Sequence, residues 1–309
     1  MPKTLRRRCL TAAALAAALL PALAPVGSAA PAPGKSLVVL GDSFSANGDI
    51  TAALENSDPA ATPDCSHGPT SWPTQLAQRL GVWGTTEFAD FSCRGASLVS
   101  GPGLTLAHQA RKADAEGAFG AGTGTVLIQS GLNDTWGTNS MRLRQTLVDC
   151  VLQIHLSCGP EAAAEGRATD WRGISGELYT ERIRPIVQYV RYYAPKARII
   201  LVGYPELARP GQQHLCVDVF GIGSIVQLRA GSAIELFDRI DAAQRTAAEL
   251  LGVEFFDARA ETAGHGLCSA QPWVAGLLDP RSELLGTPLH PTVHGDRVVA
   301  AALHRRIAG

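Results

Sequence analysis

The sequence predicts an α/β protein built on a parallel sheet of five strands with helices on both faces. Two observations carry this expectation. Short apolar runs rich in Val, Leu and Ile recur at wide intervals, and segments of helical period lie between them. Strands covered on both faces read as continuous apolar runs, and regular alternation with helices calls for right-handed crossovers between parallel neighbours.

Taken in order, Ser36-Leu37-Val38-Val39-Leu40 is the first strand, ended by Gly41. Residues 87–91 form a weaker second strand, 125–129 and 198–202 strong third and fourth ones, and 253–256 the fifth. Helical periodicity covers 72–80, 178–193, 233–251 and 295–307. In the second of these, Ile183, Ile186, Val187 and Val190 share one face with charges between them. The stretches 47–73, 137–172 and 204–232 are longer than such a unit needs, and each holds one or two cysteines. Long loops in a compact domain are usually functional, so these are expected to be ordered walls around a site.

At the N-terminus, Lys3, Arg6, Arg7 and Arg8 precede an apolar stretch and then small residues at Gly27-Ser28-Ala29-Ala30. This is the pattern of a secretory signal. The apolar run is short and broken by Pro21 and Pro25, which argues against a stable membrane anchor. The expected plan is a signal peptide over 1–29 and one domain over 30–309, secreted and monomeric. A net charge of −1 gives no electrostatic ground for a nucleic-acid partner. Six of the seven cysteines remain after cleavage, and an even number in a secreted chain implies disulfides. Several pairings are open; Cys65–Cys93, Cys150–Cys158 and Cys216–Cys268 is the simplest, since each bridge staples one excursion. No C-x-x-C pair or zinc-like spacing occurs, so no metal is expected.

The first strand runs directly into Gly41-Asp42-Ser43-Phe44-Ser45. Ligands of open α/β sheets bind beyond the carboxyl ends of the strands, so Ser43 is presented to a cleft. Ser92-Cys93-Arg94-Gly95 follows the second strand, Gly131-Leu132-Asn133-Asp134 the third, and Leu289-His290-Pro291 precedes the last helix. Singly, each has a plain structural explanation as a turn or cap. Together they supply the parts of acyl transfer. Ser43 is the nucleophile and His290 its base. The Ser43 and Gly95 backbone N–H groups and the Asn133 amide are the oxyanion donors. Asp42 reads as a turn-fixing residue, Asp134 as support for the Asn133 loop, and His265 as structural. Phe44, Trp136 and Trp273 are candidate apolar cleft surface.

With these blocks the chain resembles the GDSL, or SGNH, hydrolase family, marked by a Ser, Gly, Asn and His in that order. The likeness runs particularly to secreted actinobacterial esterases, lipases and phospholipases, which share segments like Gly264-His265-Gly266-Leu267-Cys268. The resemblance implies a flavodoxin-like, three-layer α/β/α fold and ester hydrolysis without a cofactor. The family usually has an acid three residues before the histidine; here that position is Thr287. The expectation is a Ser43–His290 dyad whose imidazole is oriented by the Thr287 main-chain carbonyl, with Asp279 and Glu283 uninvolved. An acyl ester of lipid type is the expected substrate. A carbohydrate acetyl esterase is the alternative, and a catalytically inactive binding module is a third reading, opposed by the presence of all four marker residues. A nucleotide-binding protein of the same fold is disfavoured because the first strand lacks a Gly-rich phosphate loop.

Overall fold

The computed structural model describes residues 32–49, 65–100, 104–267 and 269–309. The expected signal peptide and Cys268 lie outside them. All five expected strands form: β1 (Leu37–Gly41), β2 (Phe88–Asp90), β3 (Thr125–Gln129), β4 (Arg198–Val202) and a last strand, β7 (Glu254–Phe256). A hairpin, β5 (Leu215–Val219) and β6 (Gly223–Gln227), lies between β4 and β7 in the chain. The sheet order is β2-β1-β3-β4-β7, and every neighbouring pair is parallel.

Two cores follow from the alternation of side chains along each strand. Val38, Leu40, Val126, Ile128, Ile199 and Leu201 share one core with helices α2 (Leu106–Ala115), α3 (Gly176–Tyr193) and α4 (Gly231–Leu251). Leu37, Val39, Leu127, Ile200 and Val202 share the other with α1 (Trp72–Arg79) and α5 (Val293–Ala308). The result is the expected three-layer arrangement. Helix starts are fixed locally, since the Ser175 hydroxyl accepts from Leu178 N–H and the Thr292 hydroxyl from Gly295 N–H.

Of the elements that were not expected, three stand out. Helix α2 buries only Leu106, Gln109, Ala110 and Ala113, a face too small and too polar to stand out as a periodic signal. The β5–β6 hairpin lies within the stretch expected to be a wall. Helix Leu143–Thr146 runs into a π turn, Leu147–Val151, in another such stretch. Cys65–Cys93 and Cys150–Cys158 are bridged as expected. Cys216 is also disulfide-bonded, while its expected partner Cys268 is outside the described residues.

From β1 the chain goes to one side to make β2 and returns to the other side to make β3. The order therefore reverses between β1 and β3, which opens a crevice at the carboxyl ends of these strands.

Candidate active site

The turn that carries Ser43 is held by the backbone groups on either side of it. The β1–β2 ladder stops at Val39 opposite Asp90. Beyond it the Gln109 side chain takes over: Gly41 N–H donates to its Oε1 and its Nε2 donates to Gly41 O, both at 2.8 Å. Asp42 N–H donates to Gln129 O at 3.1 Å, and Asp42 O accepts from Ser45 and Ala46 N–H. The Asp42 carboxylate accepts from Phe44 N–H at 2.9 Å and from the Tyr204 hydroxyl. That is the Asx-turn chemistry expected from the sequence. Burial pushes the Asp42 carboxyl up to about 7, against the lowering effect of the Tyr204 hydrogen bond. Ser43 is thereby left half-exposed on a rigid turn.

His290 meets it from the far end of the sequence. Its Nε2 lies 2.8 Å from Ser43 Oγ, and its ring stacks on Phe44 at 4.5 Å between centroids. Phe44 is itself buried; it supports the imidazole and also lines the small apolar cavity beside it. Burial holds the imidazole pKa down at about 4; the Pro288 hydrogen bond raises it and the Arg94 charge lowers it further. His290 is therefore neutral near pH 7, the state in which it can accept a proton.

The carbonyl that meets the imidazole is a correction. His290 Nδ1 lies 3.0 Å from Pro288 O, not Thr287 O. Thr287 O instead accepts the His290 backbone N–H at 3.1 Å, closing a four-residue turn. Pro288 is the second residue of that turn and Leu289, at φ 68°, the third, which is the signature of type II. With Thr287 O committed to the turn, the next carbonyl is the one left for the ring. A positive φ is strained for Leu. It is held because Leu289 N–H donates to Ala275 O and Ala275 N–H to His290 O, both at 2.9 Å. Asp279 pairs with Arg281 at 3.0 Å and Glu283 accepts from Val293 N–H at 2.6 Å, so both carboxylates are engaged elsewhere.

Gly95 follows β2 with φ 71° and is exposed. A side chain there would be strained. Asn133 follows β3, and its Nδ2 donates to Ala96 O at 3.1 Å, which ties it to the residue after Gly95. One of its two amide hydrogens is used in this bond. Asp134 is buried and clamps the same two loops: it accepts from Leu98 N–H at 2.8 Å, from Val99 and Ser100 N–H, and from the Ser100 hydroxyl at 2.8 Å. Burial raises its pKa against these bonds. Thus Ser43, Gly95 and Asn133 follow three adjacent strands, and Ser43 is in contact with His290.

Trp136 is fully buried, with Nε1 donating to Gly131 O at 3.0 Å, and so packs rather than lines a cleft. His265 and Trp273 stack on each other at 3.5 Å, a structural pair. The sequence reading missed the residues behind the site. Gln129 accepts from Ser45 Oγ and Trp72 Nε1, both at 3.0 Å, and donates to Gly203 O. Asn47 donates to Pro291 O at 2.7 Å and to Asp296 Oδ2 at 2.8 Å, fastening the Ser43 loop to the His290 loop. The signal for Gln129 was a polar residue closing an otherwise apolar strand; nothing local distinguishes Asn47. Next to His290 is a narrow cavity of about 40 Å³ lined by Leu143, Leu147, Leu207, Phe237, Leu267 and Leu289. Among the described residues, no group of three or more His, Cys, Asp or Glu side chains is placed to hold a metal ion.

A hydroxyl–imidazole pair at the switch point of a parallel α/β/α sheet is the framework of a serine hydrolase. The chain belongs to the GDSL-like Lipase/Acylhydrolase family, whose sequence model matches residues 39–298. It is 30% identical to an esterase of Streptomyces scabiei over 97% of this chain and 94% of that one. It is 27% identical to Lipase 1 of Streptomyces coelicolor over 91% of this chain and 89% of that one. The crystal structure of an extracellular lipase from Streptomyces rimosus superimposes with a TM-score of 0.59 at 22% identity, covering 88% of this chain and 99% of that one. The protein is thus an ester hydrolase of the lipase and esterase type, with the fold of the Streptomyces rimosus enzyme.

Proposed function

We propose that the protein is a secreted, monomeric hydrolase of lipid-type carboxylic esters, acting through a Ser43 acyl-enzyme. The observation that carries this reading is the 2.8 Å contact between Ser43 Oγ and a neutral His290 Nε2. Ser43 Oγ attacks the acyl carbonyl carbon as its proton passes to Nε2, and the Pro288 carbonyl accepts Nδ1–H and fixes the tautomer. The oxyanion forms against the Ser43 and Gly95 N–H groups and the second Asn133 amide hydrogen. Collapse expels the alcohol, which takes the proton from His290. A water molecule then repeats the sequence: it attacks the acyl carbon, gives its proton to His290, and releases the acid as Ser43 regains its own.

The aliphatic and aromatic lining beside His290 supports an acyl chain over a sugar, because a carbohydrate site needs convergent polar groups. Secretion is supported by the disulfides. Among the described residues no helix is long and apolar enough to cross a membrane.

The test is chemical. A fluorophosphonate should label Ser43 alone, and Ser43→Ala should lose several orders of magnitude in turnover. Rates on p-nitrophenyl esters from acetate to palmitate, beside a phospholipid and an acetylated xylan, should favour acyl chains over acetylated sugar. Labelling at another serine refutes the nucleophile, and preference for xylan refutes the substrate class.

A further inference from the structure

The exposed apolar surface of this protein is polarised. Of the fifteen large hydrophobic residues exposed among the described residues, eleven lie on segments that connect the carboxyl ends of strands to the next helix. They include Val99 after β2, Ile222 and Leu228 on the β5–β6 hairpin, and Leu284 and Leu285 in the segment leading to His290. The remaining four, Trp83, Tyr192, Tyr193 and Leu250, are on or just past helices at the opposite end. A soluble protein scatters such residues singly; concentration around one mouth marks an interaction surface.

The densest part is the flap that follows β3. Val148, Leu152, Ile154 and Leu156 are exposed there by 47%, 42%, 58% and 42%. The same flap closes the apolar cavity beside His290, because Leu143 and Leu147 line it. One face of the segment is therefore turned to the reacting ester and the adjoining face to solvent. Its backbone is a π turn, closed by Leu152 N–H donating to Leu147 O at 2.9 Å, which rotates the two faces away from regular helical spacing. The Cys150–Cys158 disulfide staples it, and Gln227 of the hairpin donates to Cys150, Gln153 and Leu156 carbonyls. An ordered support of this kind keeps apolar side chains outward that would otherwise fold in. Arg144 and Arg229 are exposed on the flap and the adjoining hairpin; the exposed carboxylates beside them are Asp149 on the flap and Glu161 just past it, which Arg229 reaches electrostatically.

From this continuity we propose that the flap's outer face is a lipid-docking surface. Val148, Leu152, Ile154 and Leu156 insert into the acyl boundary of an anionic lipid aggregate while Arg144 and Arg229 meet its headgroups. The inference rests on the lipid-ester reading above and adds the surface that brings the site to an aggregated substrate. Apolar side chains rimmed by cations are the chemistry of interfacial binding.

The experiment separates docking from catalysis. The full secreted chain carrying Ser43→Ala is floated with vesicles of phosphatidylcholine containing phosphatidylglycerol, with and without Val148→Ser, Leu152→Ser and Ile154→Ser together. In the Ser43 background, kcat/KM on soluble p-nitrophenyl acetate reports folding and chemistry. The triple substitution should lower vesicle partition by at least about tenfold, given the apolar area withdrawn, and leave soluble-ester kcat/KM within about twofold. Unchanged partition of the triple variant overturns the proposal, as does failure of the parent to bind vesicles. Loss of soluble-ester activity in parallel with partition also overturns it, since the side chains would then be part of the folded site. If instead the wild type fails to cleave any acyl ester, the functional reading falls while flotation still reads docking.

Discussion

Acidification should leave this enzyme active well below the range in which an ordinary histidine stops serving as a base. In the proposed mechanism His290 must be neutral to take the Ser43 proton. Burial lowers its pKa from 6.5 to about 4, and among the described residues the group hydrogen-bonded to Nδ1 is the uncharged Pro288 carbonyl. A carboxylate in that place would favour the imidazolium and move the pKa up. With a pKa of about 4, roughly 90% of the imidazole is neutral at pH 5, against about 3% for an unperturbed ring. The two cases differ by about thirtyfold in rate at that pH. The assay is kcat/KM on a soluble short-chain ester from pH 4 to 8, which reports ionisations of the free enzyme, with circular dichroism at each pH to verify folding. The expected profile is flat from neutrality to about pH 5.5 and half-lost near pH 4. Asp279→Asn and Glu283→Gln should keep the same limb. A limb near 6.5 in folded protein, or a loss of about 10⁴ in turnover from either carboxylate variant, would refute a carbonyl-oriented base. The Asp42 carboxyl titrates near 7 beneath the nucleophile, so a limb there that vanished in Asp42→Asn would show the turn, not His290, to be limiting.

Asn133→Ala should lower kcat by about 10²–10³ with KM little changed, because the lost donor faces charge that exists only in the transition state. A defect confined to KM would make Asn133 a substrate-binding or loop residue instead. Tyr204→Phe removes the hydroxyl that donates to buried Asp42 and accepts from Leu132 N–H at 3.3 Å. Two buried groups left short of a partner should cost about 2–4 kcal/mol in urea unfolding. A loss under about 0.5 kcal/mol would mean that water replaces the hydroxyl.

Local composition determined a good deal of this protein. β1, β3 and β4 were readable because strands buried on both faces are apolar through their centres, and helices α3 and α4 because large side chains repeat on one face. The four candidate site residues were readable because strand ends, turn glycines and the residue types of acyl transfer are all local features. Helix α2 escaped because, beside Leu106, its buried face is made of alanines and Gln109, whose value lies in bonding the Gly41 backbone where the β1–β2 ladder ends. The hairpin left a local trace, alternation at Val217-Asp218-Val219 before Gly221 and Gly223, which the reading of its cysteine as part of a wall obscured. Tertiary structure alone decided which carbonyl meets the His290 imidazole. That choice depends on Leu289 being held at a positive φ by its bond to Ala275, a contact between residues whose sequence gives no sign of it. The same is true of Asn47 and Asp296, which fasten Ser43's loop to His290's across almost the whole chain. Sequence records the chemistry each residue can do; distances between strand ends are set by packing, and only packing makes Ser43 and His290 a pair.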